Sequence, residues 1–158
     1  MAITLSPFQW YGKGIQYLSL PGLLSDDIRL ALCTSSYTPA STDEFFDVDI
    51  TNELPTLYGY TAGGIALTTK VLTEDTPSGT FIFSSDVISI TASGGDLTAR
   101  YFVLYNNTPS SDKPLIGYSW LDYNSGTPRD VTVGDTYSLN ITPTVGIFKT
   151  TIVNGSIA

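Results

Sequence analysis

Leu97-Thr98-Ala99-Arg100-Tyr101-Phe102-Val103-Leu104-Tyr105 is the longest near-continuous run of strand formers in the chain, interrupted by one arginine. A strand that is apolar on nearly both faces belongs in the middle of a sheet. One face lies on the core, and the other lies beneath a helix, an arm or another subunit. Arg100 in such a strand needs a carboxylate or backbone partner, and a structural ion pair is preferred here over ligand binding. Upstream, Tyr58-Gly59-Tyr60-Thr61-Ala62-Gly63-Gly64 runs from a glycine-rich turn straight into strand formers. Gly63-Gly64 reads as a tight turn that requires positive φ.

The same signals repeat outward from these two stretches. Ile28, Leu30 and Leu32 alternate with Arg29 and Ala31 at a period of two. Further strands are predicted over residues 65–72, 80–84, 87–91, 115–123, 137–142 and 147–153, each bounded by Gly, Pro or Asn turn chemistry. Ser41 to Val48 opens on good N-cap residues with acids in its first turn, which predicts one short helix. The fold class expected is therefore all-β, an antiparallel sandwich or barrel-like domain over residues 26–158.

Residues 1–25 differ. Phe8, Trp10, Tyr11, Tyr17 and Leu18 are separated by Gly12 and Gly14 and show no clean helical or strand period. An aromatic-rich segment of this kind must be buried, on its own core or on a neighbouring subunit. It is treated as an N-terminal arm or docking segment, with those five residues as a candidate partner interface.

Composition removes most chemistry. The chain of 158 residues has no histidine, one cysteine and only 14% charged residues, against roughly 25% in ordinary soluble domains. Without histidine there is no Ser-His-Asp or Cys-His arrangement, and one cysteine cannot build a thiolate zinc site. No catalytic, cofactor-binding or metal-ligating residue is assigned, and no cofactor is expected. Asp43, Glu44, Asp47 and Asp49 are the one carboxylate cluster, read as a solvated acidic turn with calcium ligation as the alternative. Cys33 reads as a small buried apolar residue.

The net charge of −8, with Lys and Arg scattered singly, argues against direct binding of nucleic acid. No apolar stretch is long enough to span a bilayer, and the first residues lack the pattern of a secretory signal, so no membrane partner is expected. A surface so poor in charge suits packing against neighbours. Tyr58, Tyr60, Tyr118, Trp120 and Tyr123 fall near turns or strand ends, where exposed rings would form a sugar-stacking platform and buried rings would simply pack.

An ordered set of short segments carries a resemblance. It comprises Asp27-Ile28-Arg29, Ser36-Tyr37-Thr38-Pro39, Glu44-Phe45-Phe46-Asp47-Val48, Gly59-Tyr60-Thr61-Ala62-Gly63-Gly64, Leu97-Thr98-Ala99-Arg100-Tyr101, Leu115-Ile116-Gly117-Tyr118 and Gly146-Ile147-Phe148. This order resembles a family of small virion structural proteins of tailed bacteriophages, some of them similar to capsid cement or decoration proteins. It covers most of residues 27–152 and departs from the family's pattern at residues 1–25. It departs again at Phe45-Phe46, where a histidine often precedes the phenylalanine.

The resemblance implies a non-enzymatic protein of the capsid exterior, made in the host cytoplasm and binding the major capsid protein as a dimer or trimer. The alternatives are a head–tail connector or tail component and, from another class, a carbohydrate-binding β-sandwich module.

Overall fold

In a computed structural model, residues 6–17, 20–75, 80–124, 127–141 and 148–151 are described. The fold is all-β and antiparallel, as the strand pattern predicts. A five-stranded sheet is its centre. In chain order its members are β1 (Gln9–Trp10), β2 (Ile28–Cys33), β3 (Ile65–Ala66), β8 (Tyr101–Asn106) and β9 (Leu115–Trp120). They lie side by side in the order β1-β9-β8-β2-β3, so β8 is the middle strand.

Both faces of this sheet are covered, which explains the apolar run. Ile28, Leu30, Leu32, Phe102 and Leu104 point into the larger core. Ala31, Cys33, Tyr101, Val103 and Tyr105 point the other way, into a second cluster closed by Tyr11, Tyr37 and Phe46. Phe46 stacks on Tyr105 with ring centroids 3.8 Å apart.

Opposite the larger core lie shorter ladders. β4 (Val71–Asp75), β5 (Thr80–Ser84) and β14 (Phe148–Thr151) form one of them. β6 (Ile88–Thr91) pairs with β13 (Ser138–Ile141), and β7 (Leu97–Ala99) pairs with β12 (Val131–Val133). β10 (Asp122–Asn124) and β11 (Thr127–Arg129) pair as a separate two-stranded ladder. Phe83, Ile90, Leu97, Val131 and Leu139 bring the ladders into the core shared with β2 and β8, which makes the fold a sandwich.

Residues 97–105 read as one strand in the sequence, but the structure divides them at Arg100. The chain changes sheets there, pairing with β12 before it and with β2 and β9 after it. Leu121 marks the matching corner on the partner strand, its N–H donating to the Arg100 carbonyl at 2.9 Å. The Arg100 side chain meets Asp130 at 2.8 Å, a structural ion pair.

The helical segments differ from expectation. The predicted helix over 41–48 is a single turn, α3 (Phe46–Asp49), which starts five residues late. Asp43 is drawn away from helix capping because it accepts the Tyr37 hydroxyl and the Ala40 N–H. Asp49 reaches back to accept the Glu44 and Phe45 N–H groups at 2.7 and 2.8 Å. Two short helical segments, α1 (Gly14–Tyr17) and α2 (Leu20–Ser25), appear in the N-terminal region where no helical period is visible. No described helix is long and apolar enough to cross a membrane.

Candidate functional site

Of the N-terminal residues proposed as an interface, Phe8, Trp10 and Tyr11 lie on the chain's own sheet. Gln9 and Trp10 pair with Tyr118 and Gly117 of β9. Phe8 and Trp10 are partly buried against the larger core. Tyr11 is 1% exposed, its ring buried within its own chain. Its hydroxyl donates to Tyr37, which itself donates to Asp43, so the ring is held inside. Burial pushes the Tyr11 and Tyr37 hydroxyls well above the usual tyrosine range, and both stay protonated. Tyr17 is exposed and bonds Glu44. Leu18 lies outside the described residues.

The acidic cluster is divided among separate partners. Asp43 serves Tyr37, Glu44 pairs with Lys13 at 3.6 Å, Asp47 pairs with Lys113 at 3.1 Å, and Asp49 caps its own turn. Of the residues considered for a sugar platform, Tyr60 is buried, and Tyr118 and Trp120 pack around Tyr101. Cys33 is buried at 0% exposure, and burial raises its thiol above the usual range.

The glycine-rich stretch forms a clasp that sequence spacing does not reveal. The Glu53 carboxylate accepts from the Tyr60 hydroxyl at 2.7 Å and from the Gly63 N–H at 2.6 Å. Tyr60 in turn accepts the Leu32 N–H, and Tyr105 donates to the Gly63 carbonyl at 2.6 Å. Burial raises the Glu53 carboxyl above its ordinary value, against the opposing pull of these hydrogen bonds.

The folded chain therefore takes up that proton at a higher pH than the unfolded chain does. Between the two pKa values the native state holds more protons, so this group's contribution to stability rises as pH falls from neutral toward 4.5. Urea midpoints of wild type and Glu53→Gln measured across that range should diverge, with wild type gaining on the variant as pH falls. Parallel curves would refute the shift.

Three loops beyond the clasp meet at one end of the sandwich. Leu57 and Tyr60 exchange two backbone hydrogen bonds of 3.0 Å, closing a turn in which Tyr58 has φ +50° and Gly59 has φ +89°. Left-handed residues at both central positions are the signature of a type I′ turn, where Asn-Gly is the favoured pair. A bulky tyrosine there is strained, at a cost of about 1–2 kcal/mol. The turn lies on the 91–95 loop. The Ser93 N–H donates to the Tyr58 carbonyl at 3.1 Å, and a Cβ on Gly59 would overlap the Thr91 carbonyl oxygen. The Tyr58 ring covers Gly95, where a Cβ would sit 2.6 Å from Cζ.

The 134–137 loop completes the group. The Thr136 N–H donates to the Ala92 carbonyl and the Ala92 N–H to the Tyr137 carbonyl, both at 2.9 Å. The Gly94 N–H donates to Asp135 at 2.8 Å. Two further left-handed residues, Gly94 and Thr136, lie in the same place.

The result is a fixed surface that presents apolar side chains to solvent. Leu57 is 45% exposed, Tyr58 37% and Tyr137 72%. Against known proteins, the chain matches no family model, no curated protein and no solved structure. The site is therefore read from its own geometry. Cross-linked loops of this kind would lose little freedom on binding.

Proposed function

We propose that this chain is a non-enzymatic structural component of a tailed-phage virion, a capsid cement or decoration protein that bridges major capsid subunits. The loop end of the sandwich carries the proposal. It exposes Leu57, Tyr58 and Tyr137 on backbone locked by left-handed residues and mutual hydrogen bonds. Apolar anchors set in advance on a charge-poor surface suit docking onto a protein lattice. The sequence resemblance supports the same reading. Many copies on one shell would turn a weak contact into a firm one, and binding only the assembled shell would stabilise it by linkage.

The test adds purified protein to expanded capsids that lack it. We expect co-sedimentation at a fixed stoichiometry of many copies per shell, a higher disruption temperature, and loss of both with Tyr137→Ser combined with Leu57→Ser. Absence of binding would refute the proposal. Density confined to the neck or tail would move the protein to the connector alternative.

A further inference from the structure

Beside the Tyr58 turn lies a cleft of about 210 Å³, lined by Leu54, Pro55, Leu57, Tyr58, Asp96 and Leu97 together with two threonines, Thr34 and Thr98. This is smaller than the roughly 300–1,000 Å³ of pockets that enclose drug-sized ligands, so it suits one long side chain. Its walls are mainly apolar, its aromatic wall is Tyr58, and Asp96 is its single charged residue. Among the described residues the Asp96 carboxylate has no ion-pair partner.

We propose that this cleft receives a lysine or arginine side chain carried on a loop of the protein partner. Only these two side chains combine a long apolar stem with a cationic head. The stem would lie along Leu54, Pro55 and Leu97. The head would pair with Asp96 and gain from the face of the Tyr58 ring, an aromatic contact that strengthens as water leaves. The chain's net charge of −8 favours a cationic segment at every approach. This assignment also accounts for tyrosine at a turn position that favours asparagine, since the strained residue contributes the ring that lines the cleft. That the partner is a capsid subunit rests on the reading above, whereas the chemistry of the cleft does not.

The experiment follows amide shifts of the isotope-labelled full chain at low salt. The probes are acetyl-Leu-Lys-Leu-amide, its arginine counterpart and its neutral norleucine counterpart. Saturable shifts at Leu57, Tyr58, Leu97 and Thr98 are expected with the cationic peptides, with at least about tenfold weaker binding of the norleucine peptide. Asp96→Asn should lose the preference for charge. Tyr58→Asn keeps a favourable residue in the turn and should weaken binding without unfolding the protein. No saturable shift, equal binding of the norleucine peptide, or an unchanged Asp96→Asn would each overturn the proposal.

Capsid binding by the same variants separates the two readings. Full decoration by Asp96→Asn would overturn the cleft assignment and leave the virion role standing. Peptide binding by a protein that decorates no capsid would support the cation site and overturn the virion role.

Discussion

Gly64→Ala is expected to lower the melting temperature by about 10 °C. Gly64 has φ +71° and lies against the middle of β2. A Cβ there would overlap the Leu30 carbonyl oxygen and sit 2.7 Å from its carbon and 2.9 Å from the Ala31 Cα. The left-handed backbone alone costs an alanine about 1 kcal/mol or somewhat more. The overlap adds about 1–3 kcal/mol, because the neighbours are backbone atoms of the fully buried Leu30 and Ala31 and no flexible side chain can yield. A total near 3 kcal/mol corresponds to roughly 6–12 °C in a domain of this size.

Gly94→Ala is the control. Gly94 has φ +77° but nothing within 4 Å of its Cβ position, so only the backbone cost applies. Thermal unfolding followed by circular dichroism should place Gly94→Ala within a few degrees of wild type and Gly64→Ala far below it. Equal losses in the two variants would show that the contact with β2 contributes nothing.

The contrast between these glycines shows what a one-dimensional pattern carries. Gly63-Gly64 can be read as a positive-φ turn because only glycine takes that backbone readily. What the turn is fastened to depends on Glu53, ten residues earlier, and on Tyr105, 42 residues later. Neither spacing has a local signature. The two-sided burial of residues 101–105 is legible because the apolar residues fall on both faces, whereas Thr98 of β7 is exposed. The change of sheet at Arg100 becomes visible only when Asp130 and Leu121 are placed beside it.

The helix expected at 41–48 failed for a related reason. Asp43 is a good N-cap by type, but a buried Tyr37 hydroxyl competes for it. The loop-end cleft had a sequence signal in hindsight, a tyrosine in the first place of a Tyr-Gly turn. The N-terminal aromatics had none, since a two-residue strand has no period.

Gly117→Val is the sharper test of that segment. A Cβ at Gly117 would overlap the Phe8 ring and lie 2.5 Å from the Gln9 carbonyl oxygen. Valine is well suited to the strand itself, so the clash falls on β1 and the residues before it. We expect residues 6–11 to leave the sheet, taking Phe8, Trp10 and the Tyr11–Tyr37 hydrogen bond with them. Phe8 and Trp10 are partly buried, so each loses less than the about 1.5–3 kcal/mol of a fully buried side chain.

Amide exchange should become fast at residues 8–11 while β2 and β8 stay protected, and limited proteolysis should cut within residues 6–17. Unchanged exchange at Trp10 would show that β9 accepts the extra side chain and that β1 does not depend on this glycine. Release of β1 also exposes the β9 edge, with its free backbone groups beside an apolar face. The valine that displaces the chain's own β1 equally bars a second copy's β1, since Phe8 and Gln9 would meet the same side chain, so exchange of β1 between copies is not expected in Gly117→Val.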